Sequence, residues 1–271
     1  MPDTYAVIGN PVTYSKSPLI HAEFSKQTGQ DMYYEAILAP LNGFAAAIED
    51  FRQNGGKGMN VTIPFKVDAY KISTQLTEQA TAARAVNTLV FDGDEIYGHN
   101  TDGAGLIRDI VINLGFAITA KRVLLCGAGG AARGIILPLL NQEPRMLVIS
   151  NRTVQKAHKL RKQFSSYNNT IVSGNYEDIT GKEFDLVINA TSASLFGEPL
   201  PLPQGTFSAE SLAYDIMYGN GQTPFLQFAS QEGAEYLSDG IGMLVEQAAE
   251  SFFIWRGIRP ETKQLIEMLR K

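Results

Sequence analysis

The stretch from Arg122 to Lys156 constrains the fold more than any other. An apolar run, Val123-Leu124-Leu125-Cys126, leads straight into Gly127-Ala128-Gly129-Gly130-Ala131-Ala132, and a second apolar run, Met146 to Ser150, ends at Asn151-Arg152-Thr153. This is the order strand, glycine turn, helix, strand. In the G-x-G-x-x-G/A pattern the first glycine allows the tight turn, the second lets backbone approach a pyrophosphate, and Ala132 takes the small third position at the helix start. Phosphate would sit on the helix N-terminus, where unpaired N–H groups point outward. The segment therefore predicts a βαβ unit that binds a dinucleotide.

Which dinucleotide depends on the end of the second strand. An adenine ribose with a free 2′-hydroxyl is usually held by an Asp or Glu about 20 residues after the glycines. No acidic residue occurs between Glu143 and Glu177, whereas Arg145, Arg152, Lys156, Lys159, Arg161 and Lys162 are all basic. A 2′-phosphate needs cations and donors, so Asn151, Arg152, Thr153 and Lys156 point to NADP(H). Basic residues on a helix such as 153–163 are ordinarily a solvated face; their place after the second strand gives them this meaning.

With 271 residues, 44% of them hydrophobic and 19% charged, the chain has enough apolar material for a sizeable core and enough length for two modest domains. A net charge of −5 argues against nucleic-acid or membrane-surface binding, both of which need a cationic footprint. The expected partner is a small molecule, and the expected assembly a monomer or homodimer. The first twenty residues lack a charged n-region followed by an apolar h-region. The single cysteine, Cys126, sits in an apolar strand as a buried thiol, so a reducing, cytoplasmic location is expected. His21, His99 and His158 are far apart, and no Cys/His/carboxylate spacing matches a metal site.

Upstream, strand-like segments at 5–9, 33–37, 58–63, 88–91 and 95–98 alternate with helical ones near 17–28, 43–54, 65–72 and 76–84, and a connecting helix is expected over 103–115. Downstream, strands are expected at 122–126, 146–150, 185–189, 212–217 and 234–237, paired in parallel. Asp239 caps a long helix from about 240 to 256, and a last helix runs from Pro260. The fold class is α/β with two domains: an N-terminal α/β substrate domain completed by C-terminal helices (1–101 plus 238–271), and a Rossmann-like NADP-binding domain with a mainly parallel sheet (102–237).

Outside the nucleotide unit, polar residues gather at strand ends in Ser15-Lys16-Ser17-Pro18, Asn60-Val61-Thr62-Ile63-Pro64-Phe65-Lys66, Ala85-Val86-Asn87-Thr88 and His99-Asn100-Thr101-Asp102-Gly103. Period-2 alternation puts Asn60 and Thr62 on one face of their strand, just before Lys66. Each cluster also has an ordinary structural use. Ser15, Ser17 and Thr62 suit caps and turns, Asn60 and Asn87 can satisfy backbone groups, Lys66 can be a surface lysine, and Asp102 can cap the helix that follows.

Together these clusters resemble the shikimate dehydrogenase family. The likeness continues through the glycine turn, Asn151-Arg152-Thr153, Asn189-Ala190-Thr191-Ser192, Thr223-Pro224-Phe225-Leu226, Asp239-Gly240 and Gly242-Met243-Leu244-Val245 with Gln247-Ala248-Ala249. The resemblance implies NADP-linked interconversion of 3-dehydroshikimate and shikimate, with Lys66 and Asp102 as the catalytic pair and either one as proton carrier. It also implies that Ser15 and Ser17 hold the substrate carboxylate, that Asn60, Thr62, Asn87 and Asp102 face the ring oxygens, and that Tyr218 and Gln247 close the site. For the cofactor it implies Gly127, Ala128, Gly129, Gly130 and Ala131 at the pyrophosphate, Asn151, Arg152, Thr153 and Lys156 at the 2′-phosphate, and Thr191, Met217, Gly240 and Met243 around the nicotinamide. The return of the chain would bring Gln247 beside Lys66.

Two loops depart from the family pattern. Ala193-Ser194-Leu195 stands where a glycine and an apolar residue are common, and Gly219-Asn220-Gly221 where a proline commonly follows Tyr218. The alternatives to this reading are a quinate/shikimate dehydrogenase of broader cofactor use and an NADP-binding sensor without turnover.

Overall fold

The structure is a computed structural model that describes residues 2–167, 170–219 and 221–270, so Asn220 of the second departing loop lies outside the described residues. The chain divides into two compact units, Met1–Gly105 with Leu244–Lys271, and Leu106–Met243. Among the described residues no helix is long and apolar enough to cross a membrane.

In chain order the first unit contains β1 (Asp3–Gly9), α1 (Ser17–Thr28), β2 (Met32–Leu38), α2 (Phe44–Gln53), β3 (Gly56–Val61), α3 (Lys66–Ile72), β4 (Gln75–Leu76), α4 (Glu78–Ala83), β5 (Thr88–Asp92) and β6 (Glu95–His99). Its sheet has the order β2-β1-β3-β5-β6-β4. β1 runs parallel to β2 and β3, and the parallel pairs need helical crossovers, which α1 and α2 supply. β5 is antiparallel to both β3 and β6. Ile8, Ile48, Met59, Phe65, Val86 and Leu89 are among the side chains that fill the core beside the sheet.

The chain continues through α5 (Asp102–Arg108), which widens into a π-helical turn over Asp109–Asn113. The second unit then contributes β7 (Arg122–Cys126), α6 (Gly130–Leu140), β8 (Met146–Ser150), α7 (Val154–Phe164), β9 (Ile171–Gly174), β10 (Phe184–Asn189), β11 (Phe207–Asp215), α8 (Pro224–Gln231) and β12 (Tyr236–Ser238), before α9 (Ile241–Arg256) and α10 (Lys263–Leu269). All strand pairs of this sheet are parallel, in the order β12-β11-β10-β7-β8-β9. Strand order reverses between β7 and β10, and ligands of open α/β sheets bind outside the carboxyl ends at such a reversal.

The expected α/β class and mainly parallel second sheet are present. The sheet differs from expectation in two strands. β9 is an edge strand of four residues, Ile171-Val172-Ser173-Gly174, too short to announce itself by periodicity. β11 begins five residues earlier than expected because Glu210 turns left-handed at φ 59, and the register shift lets Phe207 pair with Phe184. The last helix starts at Lys263 rather than Pro260. Asp239 does accept from the N–H of Ile241, at 3.3 Å, as the cap expected for α9.

Candidate active site

The hairpin of β5 and β6 pairs Thr88 with His99. That register forces the residue before β5, Asn87, against those after β6, and the Asn87 N–H donates to the His99 carbonyl at 3.0 Å. Lys66 opens α3 at the same corner, its carbonyl accepting from Val86 N–H at 2.8 Å. Lys66 Nζ then lies 2.6 Å from Asp102 Oδ2.

Asp102 is buried, and a buried carboxylate is stable only when its oxygens are paired. The second oxygen accepts from Asn87 Nδ2 at 2.8 Å. Asn87 Oδ1 in turn accepts the Thr101 N–H at 2.8 Å, so the amide cannot be reversed without turning acceptor to acceptor. Gln247 arrives from α9 with Oε1 at 3.4 Å from Asn87 Nδ2. Asp102 thus uses its side chain on Lys66 and Asn87, and its own N–H is taken by Asn100 Oδ1 at 3.2 Å.

The segments after β1 and β3 follow neighbouring parallel strands and are tied by Asn10 N–H to Ile63 O at 2.9 Å. The first carries Ser15 and Ser17, where Ser15 Oγ accepts the Ser17 N–H at 3.2 Å. The second carries Thr62, whose methyl a Cβ on Gly9 would meet at 2.4 Å. Asn60 is buried with both ends of its amide engaged by the protein: Tyr34 Oη donates to Oδ1 at 2.7 Å, and Nδ2 donates to Ser251 Oγ at 2.9 Å and Thr88 Oγ1 at 3.1 Å. His21 stacks on the Tyr34 ring at 4.1 Å, and its burial drives its pKa down to about 3.

In the second unit the glycine turn divides by function. Gly127 has φ 113, and a Cβ there would lie 2.9 Å from the Ala190 carbonyl, so this glycine is demanded by the close approach of the β7 and β10 ends. A Cβ on Gly129 or Gly130 meets no protein atom within 4 Å. Ala128 and Ala132 are buried and Ala131 half-buried at the start of α6. Asn151 turns back to the Thr153 carbonyl at 2.9 Å, while Arg152, Thr153 and Lys156 are exposed after β8. An uncluttered helix N-terminus beside exposed cations and no carboxylate at the end of β8 is a donor set that fits NADP(H).

Buried Asp215 links the segments expected around the nicotinamide. It accepts from Ser194 and Thr223 hydroxyls at 2.6 Å each, and from Asn189 Nδ2 and the Met217 N–H at 3.0 Å each. Burial raises its pKa despite these donors. Thr191 donates to Asn189 Oδ1 at 2.7 Å, and Gly240 N–H donates to Met217 O at 3.1 Å. Met243 N–H donates to the Tyr214 hydroxyl at 3.3 Å. Tyr218 is half-buried in this unit. Ser194, one of the departing residues, thereby adds a bond to Asp215 that a glycine lacks.

Residue order does not single out Thr88 and Thr101, which bond to Asn87, or Ser251, which bonds to Asn60 and Thr88. Ser251 had a signal, since it stands four residues after Gln247 and so on the same face of α9. Thr88 and Thr101 had only adjacency to assigned residues.

Three family models match the chain: Shikimate dehydrogenase substrate binding domain over residues 7–89, Shikimate / quinate 5-dehydrogenase over 111–196, and Shikimate 5′-dehydrogenase C-terminal domain over 240–270. The curated Shikimate dehydrogenase (NADP(+)) of Nitrosospira multiformis is 66% identical over 270 residues, covering 100% of this chain and 98% of that one. The protein of the same name from Dechloromonas aromatica is 58% identical with the same coverage. Among solved structures, shikimate 5-dehydrogenase from Thermus thermophilus, in complex with NADP(H) and shikimate, superposes with a TM-score of 0.88 at 30% identity, covering 99% of this chain and 98% of that one.

Proposed function

The chain belongs to the shikimate dehydrogenase family, and on that premise we propose that Lys66 and Asp102 form the catalytic pair of its reaction. It is an oxidoreductase that interconverts 3-dehydroshikimate and shikimate with NADP(H), a step toward chorismate and the aromatic amino acids. When bound, NADP(H) supplies the hydride that adds to the carbonyl carbon. The carbonyl oxygen then needs a proton, and Lys66 carries three on a partly exposed ammonium. Lys66 Nζ gives one to that oxygen in reduction and takes it back in oxidation. Asp102 fixes the ammonium and accepts from a ring hydroxyl.

The remaining roles are part of the same reading. Ser15 and Ser17 hold the substrate carboxylate, and Thr62, Asn87 and Gln247 bond to ring oxygens, with Asn60 supporting them from behind. Gly127 to Ala131 and the α6 N-terminus receive the pyrophosphate, and Asn151, Arg152, Thr153 and Lys156 the 2′-phosphate. Thr191, Met217, Gly240 and Met243 line the nicotinamide. The first unit is the substrate domain and the second the NADP-binding domain. A cytoplasmic monomer or homodimer is the setting that a lone buried thiol and a small-molecule substrate support.

The 2.6 Å Lys66–Asp102 contact carries this reading. Its test is absorbance at the NADPH band with purified protein, shikimate and NADP+. The wild type should reduce NADP+ rapidly and Lys66→Ala should not. A folded Lys66→Ala enzyme with unchanged kcat would remove the assignment.

A further inference from the structure

Behind the Lys66–Asp102 pair, the first unit holds buried hydroxyl and amide groups that take no part in the reaction as assigned. They are hydrogen-bonded to one another and to Asn87. The Tyr34 phenol, whose ionisation burial pushes well above the usual tyrosine range, donates to Asn60 Oδ1 at 2.7 Å. Asn60 must therefore present Nδ2 to Thr88 Oγ1 at 3.1 Å and Ser251 Oγ at 2.9 Å, which accept. Thr88 has one proton, with Asn87 Oδ1 at 3.0 Å and Ser251 Oγ at 2.8 Å both in its reach. Asn87 then keeps Nδ2 on Asp102 at 2.8 Å, and Asp102 holds Lys66 at 2.6 Å.

We propose that Thr88, supported by Ser251 and Tyr34, is a positioning residue for the catalytic pair. Its hydroxyl holds the Asn87 amide in the orientation that donates to Asp102, and so sets where the Lys66 ammonium points. The inference rests on the reading of Lys66 and Asp102 as that pair. The physical reason is the cost of the alternative: a reversed Asn87 amide would face the Asp102 carboxylate with its own oxygen, acceptor against acceptor, in a buried place. The Thr101 N–H guards the same oxygen of Asn87. The Thr88 and Thr101 hydroxyls reach that oxygen as well, at 3.0 and 3.2 Å, and of the two it is Thr88 that also accepts from Asn60 deeper in the core. Ser251 connects the set to α9 by donating to the Gln247 carbonyl at 3.0 Å, so the backbone that bears Gln247 shares the same anchor.

The test compares Thr88→Val, which keeps the branched shape and removes the hydroxyl, with Thr88→Ser, which restores it. Thr88→Val should lose about tenfold in kcat, because a small misplacement of an acid–base group is costly, while KM for NADP+ stays within about twofold. Thr88→Ser should recover kcat to within about threefold of the parent. A hydroxyl that only fills and satisfies the core would lower thermal stability and leave kcat of the folded enzyme where it was. A folded Thr88→Val enzyme with unchanged kcat overturns the proposal, and so does a Thr88→Ser enzyme as slow as Thr88→Val. If Thr88→Val does not fold, Ser251→Ala decides, with a loss of about threefold in kcat expected and no loss overturning. Lys66→Ala is assayed alongside. Full activity there removes the catalytic pair itself, whereas its collapse beside an undisturbed Thr88→Val removes only the positioning role.

Discussion

In the first unit several of the residues assigned to substrate are bonded to one another and to side chains behind them: Lys66 to Asp102, Asp102 to Asn87, Asn87 to Thr101 and Thr88, and Asn60 to Ser251. In the second, the residues assigned to cofactor are a glycine turn, a helix end and exposed cations, with Arg152 and Lys156 in solvent. A polyhydroxylated ring offers neutral groups whose recognition depends on angle, so its partners are held in advance by a buried network. A dinucleotide offers phosphates, which backbone N–H groups and charges bind with less directional demand. The first unit should therefore be vulnerable to the loss of single atoms, and the second to changes of backbone shape and charge.

The largest effect expected of this contrast is at Lys66. Lys66→Ala should lower kcat by roughly 10²–10⁴ with little change in KM, as for lost acid–base help, and NADPH fluorescence titration should give an unaltered Kd. A Kd that weakened in step with kcat would erase the separation between the two units. The next effect divides the glycine turn. Gly127→Ala must force a Cβ at φ 113 to within 2.9 Å of the Ala190 carbonyl, and should cost about 1–3 kcal/mol in urea unfolding. Gly129 has φ −87 and no protein atom within 4 Å of an added Cβ. Gly129→Ala should leave stability within about 0.5 kcal/mol and weaken NADP+ about tenfold. Equal stability losses would mean that both glycines serve packing alone.

Much of this was legible from residue order, and the part that was not has physical reasons. β7 and β8 end where expected because their apolar runs are bounded by glycine and by Asn151. The alternation holds for Asn60 against Met59 and Val61, which enter the core, but β3 ends at Val61, so Thr62 lies past the strand and Ile63 is exposed instead of sharing the apolar face. The alternation says nothing of what meets the polar face, and Asn60 is engaged by Tyr34, Thr88 and Ser251 from sequence separations of 26, 28 and 191. Such partners are set by tertiary packing. Ser251, next to Glu250 in α9, gains meaning only once Gln247, four residues before it, is placed. The start of β11 was hidden by Ser208-Ala209-Glu210, which no strand pattern favours and which the left-handed Glu210 accommodates.

A smaller effect concerns charge in the second unit. Arg152→Ala should raise KM for NADP+ about tenfold and leave KM for NAD+ nearly unchanged, because only the 2′-phosphate loses its partner. Added salt should shrink the difference, since Arg152 is exposed. An equal loss for both nucleotides would place Arg152 elsewhere than at the 2′-phosphate.

The smallest effect is on stability and separates the units by pH. His21 in the first unit is held neutral by burial, with its pKa moved from 6.5 to about 3, so the unfolded chain binds a proton there that the folded chain refuses. Its contribution is intact above pH 6.5 and is lost progressively as pH falls toward 3. Near pH 6 the loss depends on the unfolded value alone and amounts to about 1 kcal/mol relative to pH 7.5. Half-buried His99, lowered by the same cause although Glu250 opposes it, adds in the same direction. The second unit answers acid differently. Asp185, held at about 2 chiefly by its hydrogen bonds from Arg122, keeps its contribution until pH falls below 3.8. Asp215, raised by burial, carries a penalty at neutral pH that acid relieves. Hydrogen exchange at pH 6 should thus show faster opening of β1, β2 and α1 than at pH 7.5, after correction for intrinsic rates, with β7 and β8 unmoved. His21→Phe should flatten that slope, because an aromatic ring without a proton to bind keeps the stack on Tyr34 and removes the linkage.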